Sequence, residues 1–545
     1  MTANPVTLFT GLRTCTLDPQ CPVTDALAVA GEWILATGPA GELAAAFPQA
    51  RRIDLGGRTV LPGLIDCHVH LLAYGLLVRR LDLRQTRSLA EAVQMVAAAA
   101  ATAPPGTWVL GGGWDRNRWA EGRWPTRDDL DAVSIGRPVA LTSKDGHLLW
   151  VNSAALERAG IGPRTPDPPG GEIVRDPTGR PTGLLKEEAR VLVQAVVDRP
   201  DPAMLRAALE EATAAAHRLG LVGVHSMARD GPWPEALGLL QDAHRERRLR
   251  LRVWMTIPLD RLEDAAALGV RTGLGDHWLR VGGVKIYSDG TLGSQTASML
   301  EPFEGQPGNR GIAVHSAVAL QELVGRAVAA GLWPTVHAIG DRANREVLEA
   351  FAAHHQAARR SGVRFRLEHV QLLHPDDLPR LAQLRVVASM QPVHCTSDRN
   401  LADRYWGARS RTAYAWRSLR QQGTVLAFGS DAPVETLDPW QGLYAAVTRR
   451  HPGDPRPAWY PQETLSVQEA LRAYTVGAAY ASGEEAIKGT LAPGRLADFI
   501  VVDRDLLAEA AADPQVLLET RVLATVVGGT PVHSAGPLAG LDSDA

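Results

Sequence analysis

The chain has 545 residues, of which 45% are hydrophobic and 21% are charged, and its formal net charge is −3. This is ordinary globular composition, and the charge is too small to indicate a nucleic-acid or polyanion partner. Four cysteines are too few for a disulfide framework, and the first residues lack the basic and apolar segments of a signal peptide. No window offers the ~18 apolar residues of a membrane span. We therefore expect a soluble cytoplasmic protein.

Residues 7–60 consist of short apolar runs separated by turn residues. Residues 26–37 contain a glycine between two apolar runs, which predicts a hairpin, and residues 52–61 repeat the pattern. Short runs of the same kind return near the C-terminus, at residues 497–503 and 522–532. We therefore predict that residues 1–60 and 485–545 pair into one small β-sandwich domain.

Residues 75–200 differ in character from the segments on either side. Ser88 and Glu91 form the capping-box pattern of a helix that we predict over residues 89–101. Residues 111–119 are rich in glycine, tryptophan and charge, and proline–glycine clusters with hairpin signals follow at residues 168–183. This composition predicts an inserted subdomain of mixed structure.

Helical segments alternate with short β-rich apolar runs from residue 201 onward, which is the pattern of a parallel sheet. The predicted strands lie at residues 61–67, 222–226, 251–257, 281–287, 335–339, 365–370, 386–390 and 425–430. Eight such units predict an α/β fold in which the strands close into a (β/α)8 barrel. The predicted barrel domain spans residues 61–484 and contains the inserted subdomain after its first strand.

Polar side chains stand at the C-terminal ends of these strands, where barrel enzymes place their working residues. His68 and His70 are two residues apart, so they point to one face of an extended strand, where neutral imidazoles can hold a divalent metal. Taken singly, each polar residue has a structural explanation, such as a buried histidine or a helix cap. Four later strand ends add further candidates: Lys285, His337, His369 and Asp431. The convergence of all six predicts a metal site at the mouth of the barrel.

Motifs spread over nearly the whole chain are similar to those of one enzyme family. They stand at residues 62–70 (PGLIDCHVH), 113–115 (GWD), 145–147 (DGH), 150–153 (WVNS), 283–294 (GVKIYSDGTLGS), 336–341 (VHAIGD), 368–371 (EHVQ), 390–392 (MQP), 429–433 (GSDAP) and 491–503 (LAPGRLADFIVVD). In these motifs the chain resembles the amidohydrolase superfamily. Within it, the chain is most similar to the YtcJ-like branch that includes N-substituted formamide deformylases.

The resemblance implies a metal-dependent hydrolase and a role for each strand-end residue. His68 and His70 would bind the more buried metal with Asp431 near it, and His337 and His369 would bind a second metal. Lys285 would bridge the two ions as a carbamate formed with carbon dioxide. Unmodified, it would act as a charge partner, because an ammonium group has no lone pair. A one-metal site stays open as an alternative. Zinc is the expected ion, with iron or manganese as alternatives.

The implied reaction is hydrolysis of a non-peptide C–N bond in a small molecule, such as an N-substituted formamide. Zinc lowers the pKa of bound water to about 7, and the resulting nucleophile attacks a carbonyl or amidine-like carbon. Asp431 would take the proton of the water and pass it to the leaving nitrogen. The alternative within the same chemistry is a deaminase or a ring-opening hydrolase acting on a heterocycle. The complete set of ligands argues against a noncatalytic binding protein.

Six further residues are candidates for contact with the substrate, and a structural role is the alternative for each. These residues are Trp114, Asp115, His147, His225, His394 and Asp398. Trp114 belongs to a group of tryptophans in the inserted segment, which a local hydrophobic core explains more simply than an aromatic substrate. We expect a small-molecule substrate and no nucleic-acid or membrane partner. A homo-oligomer is a reasonable prior for an enzyme of this kind.

Overall fold

The computed structural model describes residues 5–104, 106–197, 200–228 and 233–538, and the strands of these residues form three sheets. The first sheet joins the two chain ends, the second lies in the inserted segment, and the third is the barrel. In chain order the strands are β1 (Val6–Cys15), β2 (Val23–Thr24), β3 (Ala26–Ala30), β4 (Trp33–Gly38), β5 (Arg51–Pro62), β6 (Leu64–Val69), β7 (Leu81–Asp82), β8 (Val109–Trp114), β9 (Val139–Ser143), β10 (Leu148–Val151), β11 (Gly171–Arg175), β12 (Pro181–Glu187), β13 (Leu221–Ser226), β14 (Arg252–Pro258), β15 (Leu279–Tyr287), β16 (Pro334–Ala338), β17 (Arg366–His369), β18 (Val387–Met390), β19 (Val425–Phe428), β20 (Phe499–Val502), β21 (Val522–Val527) and β22 (Thr530–Ser534).

Helices occur in all three parts of the described chain, and many of them connect barrel strands. They are α1 (Ala40–Ala46), α2 (Leu71–Leu77), α3 (Leu89–Thr102), α4 (Arg127–Asp131), α5 (Ser153–Arg158), α6 (Val191–Gln194), α7 (Pro202–Arg218), α8 (Trp233–Arg245), α9 (Leu262–Ala267), α10 (Ala317–Ala330), α11 (Asp341–Ser361), α12 (Leu378–Gln383), α13 (Pro392–Ser397), α14 (Arg399–Tyr405), α15 (Trp416–Gln421), α16 (Pro439–Thr448), α17 (Val467–Arg472), α18 (Ala478–Ala481), α19 (Leu506–Ala512) and α20 (Val516–Glu519). Among the described residues, no helix combines the length and the apolarity needed to cross a bilayer.

The barrel consists of eight parallel strands in the order β6, β13, β14, β15, β16, β17, β18 and β19. Every residue of β13 is buried, as expected for a parallel strand covered on both faces. The last strand, β19, contacts the first strand, β6, through backbone hydrogen bonds made by the residues that follow each strand. There the Asp431 N–H donates to the His68 carbonyl at 2.7 Å, and the His70 N–H donates to the Ala432 carbonyl at 2.8 Å. The barrel is therefore nearly closed, and the predicted α/β barrel fold is confirmed.

Helices outside the barrel hold the strand ends in place by burying one apolar face. In α11, Val347 and Phe351 lie one turn apart and are buried against the barrel. Phe351 stacks on Phe365, just before β17, with ring centroids 4.4 Å apart. The helix ends at Gly362, whose left-handed conformation (φ 72°) favours glycine. Burial of each large apolar side chain stabilises the fold by ~1.5–3 kcal/mol, and here it fixes the strand that carries His369.

Strands from both chain ends form one sheet beside the barrel. β5 pairs in parallel with β1 and antiparallel with β20, so the two ends of the chain meet within this sheet. Phe9 and Phe499 pack edge to face in its core, with ring centroids 5.0 Å apart. The domain boundaries at residues 60 and 485 stay a prediction. Residues 1–4 and 539–545 of the predicted terminal domain lie outside the described residues.

The inserted segment forms its own sheet, in the order β11, β12, β10, β9, β8 and β7. Helix α3 begins where the capping pattern predicts, because the Ser88 hydroxyl accepts a hydrogen bond from the Glu91 N–H at 3.1 Å. Trp114, Trp119 and Trp150 pack together with ring centroids 5.8–6.1 Å apart. They form part of the apolar core of this sheet.

Candidate metal centre

Four imidazoles meet at the C-terminal mouth of the barrel. The His68 ring centroid lies 5.6 Å from that of His70 and 4.7 Å from that of His369. The His369 ring centroid lies 4.6 Å from that of His337. The strand register explains this convergence, because Ala338 at the end of β16 is paired with His369 at the end of β17. Residues hundreds of positions apart in the chain are thus brought together by the closure of the barrel.

Asp431 follows β19 and lies against these rings. Its Oδ1 is 3.1 Å from His70 Nε2 and 3.5 Å from His68 Nε2, and its Oδ2 is 3.1 Å from His394 Nε2. The backbone of Asp431 has a φ of 58°, which is uncommon for a residue with a side chain. The hydrogen bond from its N–H to the His68 carbonyl helps to hold this conformation. The strained backbone turns the carboxylate toward the imidazoles.

The ligand atoms are close enough to share a metal ion. His68, His70 and Asp431 form one group, and His369, His394 and Asp431 form another, each with its ligand atoms within 4.8 Å of one another. Burial lowers the pKa of His68 to about 4 and that of His369 well below its ordinary value, so both offer lone pairs. Burial raises the pKa of Asp431, but the adjacent imidazoles hold it well below its usual range. Neutral imidazoles beside an ionised carboxylate fit a divalent metal.

A carboxylate beneath the cluster orients His68. Glu368 Oε2 lies 2.6 Å from His68 Nδ1, and its Oε1 accepts a hydrogen bond from Arg366 at 2.5 Å. Burial raises the pKa of Glu368, but Arg366 and His68 hold it far below its ordinary value. An ionised Glu368 keeps the proton of His68 on Nδ1 and leaves the Nε2 lone pair for a metal. His369 is held in the same way, since its Nδ1 lies 2.8 Å from Gln391 Oε1.

Lys285 and His337 lie in the same cavity, but His337 stands outside the two groups of ligand atoms. His337 Nε2 is 3.1 Å from the Gly290 carbonyl and 3.4 Å from Asp289 Oδ1. Lys285 is buried, and its Nζ lies 4.9 Å from the centroid of the Tyr287 ring. The second metal at His337 and the carbamate at Lys285 therefore stay predictions.

A cavity of about 340 Å³ is lined at one end by the candidate metal ligands His68, His70, His369 and Asp431. It is lined by five of the six residues predicted to contact substrate: Trp114, Asp115, His147, His394 and Asp398. Charged groups that the sequence did not single out also line it, among them Lys144 and Glu435, whose Nζ and Oε1 atoms lie 2.6 Å apart. The inserted segment thus contributes one wall of the cavity, and the barrel contributes the floor.

His225 is the predicted substrate contact that lies elsewhere. Its side chain is buried inside the barrel, where its Nδ1 accepts a hydrogen bond from Arg366 at 2.8 Å. The strand register runs from His225 through Trp254 to Arg280, which precedes Lys285 along β15. His225 therefore lies deeper in the barrel than the candidate metal ligands at its mouth. The structure thus places His225 against Arg366 and outside the lining of this cavity, and its predicted contact with substrate stays a prediction.

Comparison with known proteins places these features in a family. Residues 51–533 match the model of the amidohydrolase family. The chain is 34% identical to the protein LONG AFTER FAR-RED 3 of Arabidopsis thaliana over 95% of this chain and 90% of that protein. It is 33% identical to YtcJ of Bacillus subtilis, with 89% and 91% covered. It is 29% identical to the N-substituted formamide deformylase of Arthrobacter pascens, with 94% and 96% covered.

A solved structure gives the same answer for the fold. The crystal structure of an uncharacterized metal-dependent hydrolase from Pyrococcus furiosus superposes with a TM-score of 0.71 and 30% identity, covering 92% of this chain and all of that one. The resemblance inferred from the motifs is therefore confirmed, including the YtcJ-like branch. The chain belongs to the amidohydrolase family.

Proposed function

We propose that this protein hydrolyses a non-peptide C–N bond in a small amide, such as an N-substituted formamide. The observation that carries the proposal is the group of His68, His70 and Asp431, which opens into a cavity of about 340 Å³. A cavity of this size accommodates a small molecule rather than a folded polypeptide. The name of the Arthrobacter pascens relative supports an amide as the substrate.

The chain's own residues would divide the work as follows. When bound to His68, His70 and Asp431, a divalent ion, for which zinc is our expectation, supplies Lewis acidity and lowers the pKa of water into the neutral range. Asp431 takes a proton from the attacking water and carries it to the leaving nitrogen, because its carboxylate is held ionised. His394 lies 3.1 Å from the second oxygen of Asp431 and orients it. Glu368 and Gln391 hold the imidazoles in the tautomers that the ion requires.

The residues that line the cavity also indicate which kind of substituent the amide nitrogen of the substrate carries. Trp124, Leu401 and Val434 provide apolar surface near the mouth. The Arg116 guanidinium lies 3.7 Å from the centroid of the Trp124 ring and keeps that ring in place. An apolar alkyl or aryl group on the amide nitrogen would pack against this surface. A small acyl group such as formyl would then lie next to His68, His70 and Asp431.

The experiment is a substrate screen with metal-loaded protein. Formamides, longer acyl amides, cyclic ureas and amino-substituted heterocycles are incubated with the enzyme, and formate, other acids and ammonia are measured. We expect formate or another acid together with an amine. Ammonia released from a heterocycle would favour the deaminase alternative. The proposal is contradicted if fully folded, metal-loaded protein hydrolyses none of the amides.

A further inference from the structure

Glu187 and His147 form a buried carboxylate–imidazole pair in the wall of the cavity. His147 Nδ1 lies 2.6 Å from Glu187 Oε2, and the side chains are 11% and 3% exposed. The His147 ring lines the cavity, with its centroid 5.5 Å from that of His337. Within the described part of the chain, His147 Nε2 has no hydrogen-bond partner. One ring nitrogen is thus tied to a carboxylate while the other remains available at the cavity.

Glu187 is itself held in one position. Its Oε1 accepts a hydrogen bond from the Thr296 hydroxyl at 2.7 Å, and its backbone N–H donates to the His147 carbonyl at 3.0 Å. Arg190 donates to the Glu187 carbonyl at 2.9 Å. The backbone φ of Glu187 is 47°, a strained value for a residue with a side chain. Strain kept by several contacts at a cavity wall is typical of a functional position.

The pair determines which ring nitrogen of His147 carries the proton. Burial raises the pKa of Glu187, but the hydrogen bond from His147, the charge of Arg190 and the hydrogen bond from Thr296 lower it to about 2. The ionised carboxylate can only accept, so the Nδ1–H of His147 donates to it. In the neutral ring, Nε2 then presents a lone pair to the cavity.

Two other acidic side chains of the cavity already accept hydrogen bonds from protein groups. Asp145 accepts hydrogen bonds from Ser143, Thr291 and Ser294. Glu435 accepts from Lys144 and Ser397, at 2.6 Å in each case. His147 Nε2 is therefore an acceptor that this wall of the cavity offers to a ligand. The carbonyl oxygen of an amide needs donors or a cation, whereas its N–H needs an acceptor of this kind.

We propose that His147 Nε2 accepts a hydrogen bond from the N–H of the substrate amide, and that Glu187 positions the ring for this contact. The inference rests on the proposed function and narrows its substrate class. The substrate would be an N-monosubstituted amide rather than an N,N-disubstituted one. A methyl group in place of the hydrogen leaves a buried acceptor without either water or a donor, which is costly. Sites built around such a contact discriminate strongly against the analogue that lacks it.

The test uses two substrates that differ only at nitrogen: N-benzylformamide and N-benzyl-N-methylformamide. We expect wild-type kcat/KM to favour the N–H amide by at least ~10-fold, the value of one hydrogen bond of about 1.4 kcal/mol.

His147→Phe removes the acceptor. Glu187→Gln can donate to Nδ1 and so shifts the ring hydrogen to Nε2. Both variants should reduce the preference by ~10-fold. Glu172→Gln, in the same sheet but away from the cavity, should leave the preference unchanged.

A binding measurement separates this inference from the proposed function. Calorimetric titration of the same two amides into Asp431→Asn protein reports the preference for the N–H amide without turnover. The preference should be present in this background and should disappear when Glu187→Gln is added. An equal preference in wild type and in both His147→Phe and Glu187→Gln would overturn the inference, even if amide hydrolysis is observed. Wild-type protein that binds the N–H amide selectively but hydrolyses no amide would overturn the proposed function alone.

Discussion

His68 Nδ1 and Glu368 Oε2 lie 2.6 Å apart inside the barrel, and neither side chain is more than 1% exposed. The contact ties a ligand at the end of β6 to a carboxylate on β17, on another part of the barrel wall. A carboxylate on the second nitrogen of a ligating imidazole fixes its tautomer and raises its basicity. The geometry of the metal centre therefore depends on packing inside the barrel as well as on the ligands.

Replacing Glu368 should weaken metal binding. Glu368→Gln removes the charge that holds the His68 tautomer, and we expect divalent metal affinity to fall by ~10–100-fold. Competition with a chromophoric zinc chelator measures the affinity on protein shown to be folded by circular dichroism. Glu463→Gln is the matched control, because Glu463 is buried and accepts a hydrogen bond from Ser418 outside the cavity. Equal affinities in the two variants would contradict the role given to Glu368.

Replacing Asp431 should remove proton transfer while the fold is kept. Asp431→Asn is nearly isosteric, but a carboxamide is not a base at neutral pH, and we expect kcat to fall by ~10²–10⁴-fold. Steady-state kinetics on the preferred amide, with metal content measured in parallel, tests this. Asp438→Asn is the control, since Asp438 caps α16 and should affect stability rather than kcat. Near-normal turnover of Asp431→Asn would remove Asp431 from its proposed role as the base.

Much of the barrel could be predicted from local patterns. Each barrel strand is a short apolar run between helical segments, so its position follows from the residues themselves. The position of His369 and His337 at neighbouring strand ends then follows from parallel pairing. The depth of a side chain within the barrel could not be predicted in this way. This depth depends on the stagger between strands. For this reason His225 lies deeper in the barrel than the candidate metal ligands, although it stands near the end of β13.

The supporting carboxylates were missed for a related reason. Glu368 was visible within a motif, but its contact with His68 crosses the barrel interior between strands that are not neighbours. Glu187 reaches His147 because β10 and β12 pair in one antiparallel register within the inserted sheet. Such contacts depend on how strands distant in the chain align with one another, which the pattern of one strand alone does not determine. The alternation of Arg366 and Glu368 on one face of β17 was the signal that could have pointed to a buried ion pair.

The ion pair of Arg252 and Asp498, which links the barrel to the terminal sheet, should contribute strongly to stability. Arg252 donates two hydrogen bonds to Asp498, at 2.6 Å and 2.8 Å, and the side chains are 2% and 10% exposed. Asp498→Ala leaves a buried guanidinium without its main partner, so we expect a loss of ~3–5 kcal/mol in the free energy of unfolding. Urea denaturation of the metal-free protein measures it. Asp242→Ala breaks the exposed pair with Arg245 and should cost less than ~1 kcal/mol. Similar losses in both variants would contradict this account.

Acid should weaken the same link through Glu32. Its Oε2 lies 2.9 Å from His277 Nε2, and its Oε1 accepts a hydrogen bond from Trp278 at 3.1 Å. Partial burial raises the pKa of Glu32, but these bonds and Arg252 lower it from 4.5 to about 2. A carboxyl with a lowered folded pKa stabilises the protein above its unfolded pKa, and this contribution is lost as the pH falls through the folded value.

Wild-type protein should therefore lose more stability than Glu32→Gln between about pH 5 and about pH 2. The measurement is the urea midpoint of each protein across this range. Glu246→Gln, at an exposed ion pair with Arg248, serves as the control and should follow the wild-type pH dependence. Parallel curves for wild type and Glu32→Gln would show that Glu32 does not contribute in this way.

Metal content tests the central claim most directly. Purified protein is dialysed, analysed for divalent transition metals, stripped with a chelator and then titrated with zinc. We predict about one or two equivalents of metal per chain, loss of amide hydrolysis when they are removed, and recovery when they are restored. Folded protein that takes up no stoichiometric metal, or that hydrolyses amides equally well without it, would contradict the account.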